Sequence, residues 1–116
     1  MADQEDSIFT RIIRREIPAD VVFEDDRVIV IRDISPQAPL HLLVIPLTAR
    51  YRDVNELASG DPELLAHMVS VAGKMAEEHG DGEFRLVFNT GEAAGQTVFH
   101  VHGHILAGGL AEGSLA

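Results

Sequence analysis

Apolar residues recur at two different spacings along this chain, and the change from one to the other divides it into elements. Near the start, Ile8 and Ile12, like Phe9 and Ile13, stand four apart, which places each pair on one helical face, and Ser7 before them suits an N-cap. The pattern predicts a short helix over residues 8–16, stopped by Pro18. Val21-Val22-Phe23 and Val28-Ile29-Val30-Ile31, on either side of Glu24-Asp25-Asp26-Arg27, predict two strands of a hairpin. Pro36 and Pro39 mark a loop, after which His41-Leu42-Leu43-Val44-Ile45 runs almost continuously apolar up to Pro46. A strand without polar alternation has two faces to cover.

Asp61-Pro62-Glu63 combines an N-cap, a proline at the first helical position and an acid in the first turn, and so predicts a helix from Pro62 to about His79 that Gly80 ends. Its core face reads Leu64, Leu65, Met68, Val69, Ala72, Met75 and Ala76, with Glu63, His67, Ser70, Lys74 and Glu78 opposite. His67 and His79 are read as solvated bystanders. Phe84-Arg85-Leu86-Val87-Phe88 and Phe99 to Leu106 supply the last strands, giving an α+β fold: an antiparallel sheet with one long and one short helix.

Composition narrows the function classes. The 116 residues suit one domain, expected over 7–107, with a polar leader at 1–6 and a Gly/Ala-rich tail at 108–116. The apolar runs stay well short of the ~18 residues of a membrane span, and the acidic start lacks a secretory peptide's charged and apolar regions, so a cytoplasmic protein away from membranes is expected. With no cysteine there is no disulfide or thiolate metal site, and any metal would be held by histidine or carboxylate. A net charge of −10 argues against a partner as extended as nucleic acid, whose binding relies on clustered Lys and Arg. A single nucleotide is not excluded, because a local pocket can use backbone N–H groups and imidazoles.

Candidate chemistry concentrates in Phe99-His100-Val101-His102-Gly103-His104-Ile105-Leu106, where strand alternation would put His100, His102 and His104 on one face. A shared zinc, with His41 as a further ligand, is one reading. Yet at about 3.3 Å rise per residue His100 and His104 start roughly 13 Å apart, so two of the three suit one ion better than all three. Just upstream, Asn89-Thr90-Gly91-Glu92-Ala93-Ala94-Gly95-Gln96-Thr97 offers amide, hydroxyl and glycine-exposed backbone donors. Alone it is a hairpin loop. Next to three imidazoles it has the inventory of a phosphate site.

His100-Val101-His102-Gly103-His104-Ile105-Leu106 resembles the histidine-triad signature, in which histidines alternate with apolar residues. Residues 12–19, 23–27, Asp33-Ile34-Ser35-Pro36-Gln37-Ala38-Pro39 and Gly95-Gln96-Thr97-Val98-Phe99 are similar to the Hint branch of that family in order and spacing. The resemblance spans nearly all of 7–107. It implies a two-fold homodimer with joined sheets, a purine nucleotide substrate (an AMP or GMP derivative) and phosphoramidase activity on adenylated amines. Position by position it makes His102 the nucleophile, places His41 and His104 at the phosphate with Asn89, Gly95, Gln96 and Thr97, gives His100 a supporting role, assigns Asp33 to the ribose hydroxyls, and matches Ile8, Phe9, Ile12, Ile31, Ile34 and Leu43 to the base pocket. Each of those apolar residues also reads as ordinary core.

Two departures stand out: Gly103 replaces an apolar residue of the signature, which predicts a looser strand, and the tail lacks the Trp-Pro-Pro segment of Hint proteins, which predicts weaker discrimination among leaving groups. Thr97 stands where serine is usual and keeps the hydroxyl. The expected reaction is attack of neutral His102 on the α-phosphorus, giving a nucleotidyl-histidine that water hydrolyses. A dinucleoside polyphosphate hydrolase, a nucleotidyl transferase, a slow-turnover nucleotide-binding scaffold and a zinc protein are the alternatives. We expect no cofactor and assign no metal ligand.

Overall fold

The computed structural model describes residues 6–113; residues 1–5 of the expected leader and 114–116 of the expected tail lie outside the described residues. Elements run in the order α1 (Ile8–Ile13), β1 (Val21–Glu24), β2 (Val28–Arg32), β3 (Leu40–Pro46), α2 (Val54–Gly60), α3 (Pro62–His79), β4 (Arg85–Val87), a 3-10 turn (Glu92–Ala94) and β5 (Gly103–Ala107). The strands form one antiparallel sheet in the order β1-β2-β3-β5-β4, with β3 at its centre. Among the described residues no helix is long and apolar enough to cross a membrane.

All seven residues of β3 are buried, as its continuous apolar run requires. Alternation divides them between two clusters. Leu40, Leu42 and Val44 join Val28, Val30, Ile105 and the apolar face of α3. Leu43 and Ile45 join Ile29, Ile31 and, from α1, Phe9 and Ile12. Asp61 caps α3 by accepting from the Leu64 N–H at 3.1 Å, and the helix ends at His79 as predicted. Asp25 accepts from the N–H groups of Arg27 and Val28, both at 2.8 Å, which closes the β1–β2 turn.

Several expectations are corrected. Helix α1 stops at Ile13, short of Glu16: Arg15 takes a left-handed φ of 63° and its guanidinium pairs with Glu24. Its inner face is Phe9 and Ile12, while Ile8 is 49% exposed. On α3, Val71 is buried and Val69 is exposed, since the sheet meets the helix one step round from the expected stripe. His67 is no bystander, because its Nε2 lies 2.8 Å from Asp25 and ties α3 to the hairpin. Helix α2 is an addition that the apolar pattern does not predict. Strand β4 is trimmed to Arg85–Val87, and β5 begins only at Gly103, so His100 and His102 precede the strand. Gly103 leaves no void either: a Cβ there would meet Phe88 Cζ at 3.0 Å and Leu86 Cδ1 at 3.1 Å, side chains that already fill the space.

Candidate active site

Pairing of β3 with β5 sets Leu43 opposite His104 and His41 opposite Leu106, so His41 and His104 share the α1 face of the sheet. His41 Nε2 lies 3.0 Å from His104 Nδ1. The rings of His102 and His104 are 5.2 Å apart, and Phe9 stands edge-on to His102 at 4.8 Å and to His100 at 6.0 Å. The three triad histidines and His41 therefore form a row, although only His104 belongs to β5.

Backbone partners of fixed polarity assign the tautomers of these rings when they are neutral. The Gln37 N–H donates to His41 Nδ1 at 3.0 Å, so the His41 proton sits on Nε2, which donates to His104 Nδ1. The His104 proton then sits on Nε2. His102 Nδ1 donates to the His100 carbonyl at 2.9 Å, which leaves the lone pair on Nε2. His100 Nε2 donates to the Pro46 carbonyl at 2.7 Å, and its Nδ1 accepts from the hydroxyls of Ser7 at 3.3 Å or Thr10 at 3.4 Å.

Burial favours the neutral form of all four. Desolvation lowers His41 against the opposing carboxylate of Asp33, and lowers His100, where the Pro46 bond opposes it and His102 adds to it. His102 is lowered by burial despite its bond to the His100 carbonyl and the charge of Asp33. His104 is pushed down to about 4 by burial and by its neighbours His102 and His41, with Asp33 opposing.

Asp33 lies beyond His41, with Oδ2 3.4 Å from His41 Nε2 and Oδ1 accepting from the Ser35 N–H at 2.7 Å. Asp33, His41 and His104 each offer a ligand atom, all within 4.8 Å of one another, so in kind they could hold a metal ion. Coordination through His41 Nε2 would, however, require the proton on Nδ1, where the Gln37 N–H already points.

The loop before the triad turns through Glu92–Ala94, and Gly95 adopts a left-handed φ of 96° that favours glycine. The N–H groups of Gly95 and Gln96 donate within the loop, to Glu92 and Gly91 carbonyls, both at 3.0 Å. Among the described residues no protein acceptor takes the Thr97 N–H, and Thr97 is exposed. Asn89 Nδ2 stands 4.0 Å from where a Gly95 Cβ would be.

The apolar residues matched to a base pocket separate into two groups. Phe9, Ile12, Ile31 and Leu43 pack together as core beneath α1. Ile8 is half-exposed, and Ile34, beside Asp33, is 98% exposed. Sequence reasoning missed the hydroxyls of Ser7 and Thr10, the Pro46 carbonyl and the Gln37 N–H. Ser7 was visible only as a cap; nothing in the chain's pattern pairs it with a histidine 93 positions away.

A family model described as scavenger mRNA decapping enzyme C-terminal binding matches residues 6–114. The chain is 47% identical over 106 residues to a purine nucleoside phosphoramidase of Escherichia coli, covering 90% of this chain and 88% of that protein. Its fold superposes on a HIT family hydrolase from Clostridium thermocellum with a TM-score of 0.84 at 42% identity, covering 90% and 92% of the two chains. It also superposes on a histidine triad protein from Clostridium difficile, with a TM-score of 0.84 at 38% identity and coverage of 94% and 96%. The row of imidazoles, the fold that carries it and these likenesses agree: the chain belongs to the histidine-triad family.

Proposed function

We propose that this protein is a purine nucleoside phosphoramidase, a hydrolase that cleaves the P–N bond of nucleoside 5'-phosphoramidates. The relative in Escherichia coli that carries this name is 47% identical over 90% of the chain. The single observation that carries the mechanism is the bond from His102 Nδ1 to the His100 carbonyl at 2.9 Å, because it leaves the Nε2 lone pair free to attack.

In this reading His102 Nε2 forms a bond to the α-phosphorus as the P–N bond breaks, and the amine leaves after taking a proton. The exposed Thr97 hydroxyl relays that proton from solvent water, since His104 at about 4 carries little charge at neutral pH in the free site. The neutral His104 Nε2–H and the Thr97 N–H donate to the equatorial oxygens, where charge must be stabilised. Water then attacks the nucleotidyl-histidine, releasing the nucleoside monophosphate and restoring neutral His102. Asp33 takes the ribose hydroxyls. Ile8 and Ile34, apolar and exposed, supply surfaces for the purine.

We also take the working unit to be a two-fold homodimer. Among the described residues β4 pairs with β5 and ends the sheet, and a second copy alongside β4 would continue it. Light scattering should give about 25 kDa, twice the 12.6 kDa chain.

Rapid-quench mass spectrometry during turnover of adenosine 5'-phosphoramidate tests the mechanism. An adenylyl adduct on His102 is expected, and undiminished turnover by His102→Ala would overturn the assignment. The proximity of Asp33, His41 and His104 favours one rival, a zinc site. Stoichiometric zinc in protein purified without a His-tag or added metal, lost on His41→Ala, would replace our reading.

A further inference from the structure

The side chain of Gln96 takes no part in the chemistry above, yet it is 2% exposed and each of its polar atoms is paired. Its Oε1 accepts from the Gly91 N–H at 2.9 Å, and its Nε2 donates to the carbonyls of Arg52 at 2.7 Å and Val98 at 3.1 Å. The Gln96 backbone N–H also donates to the Gly91 carbonyl at 3.0 Å. Residues 91 and 96 are therefore joined by both main chain and side chain, which closes the loop on itself. The bond to Arg52 then fastens the closed loop to a different part of the chain.

That part is the stretch from the last residue of β3, Pro46, to the start of α2, and it holds the catalytic stretch at three places. Its Pro46 carbonyl accepts from His100, its Tyr51 carbonyl from the Val101 N–H at 3.1 Å, and its Arg52 carbonyl from Gln96. The segment is braced by α2. Asp53 caps the helix by accepting from the Glu56 N–H at 2.9 Å, and the Glu56 carboxylate accepts from the Arg52 N–H at 2.9 Å. The Tyr51 ring lies so close to Gly60 that a Cβ there would be 2.5 Å from Cε1. A brace so tied down fixes where His100, Val101 and the loop before them stand.

We propose that Gln96 is a positioning residue that shapes the phosphate loop from behind, by fastening it to the Tyr51–Arg52 segment, and that its amide does not touch the phosphate. The proposal rests on the phosphoramidase reading, because the loop it shapes is the one taken there to hold the phosphate. Removing the amide leaves two carbonyls and one N–H without these partners at a partly buried place, which frees the loop to relax. A displacement of about 1 Å at a reacting centre costs on the order of 100-fold in rate.

Two variants and one measurement on the wild type test this. Gln96→Met, which keeps the bulk, should lower kcat on adenosine 5'-phosphoramidate by about 100-fold. It should weaken adenosine monophosphate binding by less than about tenfold and leave adenosine binding unchanged. Gly60→Ala, remote from the site, should push the Tyr51 ring and lower kcat in the same direction by about tenfold, or about 1.4 kcal/mol. In the isotope-labelled wild type, adding adenosine monophosphate should shift the Thr97 N–H resonance strongly and the Gln96 side-chain amide little. A Gln96→Met kcat within twofold of wild type overturns the positioning role. A Gln96 amide shift as large as that of Thr97 replaces it with direct contact. If Gln96→Met does not fold, Gly60→Ala and the wild-type spectrum decide. A wild type that neither binds adenosine monophosphate nor turns over the phosphoramidate overturns the function itself, an outcome distinct from an active wild type with an indifferent Gln96→Met.

Discussion

The two faces of the central sheet carry the same strands to opposite ends. On one face, α3 lays 18 residues, about 27 Å of helix at 1.5 Å per residue, along strands no more than seven residues long, so that face is a dry core. On the other, α1 has six residues, about 9 Å, against a β3 of roughly 23 Å. It covers Ile29, Ile31, Leu43 and Ile45 and stops short of His41 and His104. The stretch that α1 does not reach is the proposed site. Successive residues of β3 thus answer to different requirements: Leu42 lies in the core under α3, and His41 and Leu43, on either side of it, belong to the face that carries the proposed site.

The sharpest test of this division sets one substitution on each face. His102→Ala should lower turnover of adenosine 5'-phosphoramidate by about 10⁴-fold or more while shifting the denaturant midpoint far less than a core cavity does, because the ring removed is the proposed nucleophile and is only partly buried. Leu42→Ala should do the reverse, costing about 2–5 kcal/mol of stability by opening a cavity under α3 and leaving kcat per folded molecule within about twofold. Urea titration and steady-state kinetics on both variants check the pair. If Leu42→Ala silences the enzyme while it is still folded, the two faces are not separable.

A subtler break is expected at His41, which lies in the buried sheet but serves the open face. His41→Leu keeps the burial and removes the Nε2–H that fixes the His104 tautomer. The rate should fall by about ten- to a hundredfold, 1.4–2.7 kcal/mol, with nucleoside monophosphate affinity changed less. Equal losses in kcat and affinity would mean that His41 binds ligand directly.

How far the sequence discloses this arrangement depends on whether a feature is local. Helix α3 is legible from Asp61-Pro62 and its apolar stripe, and β3 from its apolar run, because each is written in consecutive residues. The triad is equally plain, and with it the family. Helix α2 escapes because Val54–Gly60 has little apolar periodicity and only Leu57 is buried; its one local sign is the cap at Asp53 with Glu56 three residues later. Alternation fits one long strand through the triad segment. Yet His100 is held by the Pro46 carbonyl and two hydroxyls, and Val101 by the Tyr51 carbonyl, partners from distant segments that pull the chain out of the sheet. The partners of Gln96 are equally hidden: sequence shows an amide beside glycines, not the Arg52 and Val98 carbonyls to which it donates.

The open face should also carry the pH dependence. His41, His100, His102 and His104 all titrate below 6.5 in the folded protein, His104 at about 4. Between these values and 6.5 the unfolded chain binds more protons, so the stability they contribute is present above pH 6.5 and is lost as pH falls toward 4. Urea midpoints measured from pH 7 to pH 4 should fall, and His104→Gln should flatten the curve. The acid limb of kcat/KM should likewise lie below pH 6.5, since burial makes His102, the proposed nucleophile, resist protonation. A limb above 6.5 would show a free site that favours the imidazolium.

The smallest effect is expected where the two faces' supports meet, at the start of α1. Ser7 caps the helix through the Thr10 N–H at 3.1 Å and also reaches His100 Nδ1, which Thr10 Oγ1 approaches from the next turn. Ser7→Ala should therefore cost about 1 kcal/mol, the ordinary value of a lost cap, with kcat lowered less than about threefold. Thr10→Val should cost less, since Ser7 still serves His100. The double variant leaves a buried imidazole nitrogen with no donor, so its cost should exceed the sum of the two by about 1 kcal/mol or more, the penalty of an unsatisfied buried acceptor. A double-mutant cycle by urea denaturation measures that excess. Strict additivity would mean that His100 Nδ1 draws on neither hydroxyl, and that α1 is joined to the triad only through the packing of Phe9.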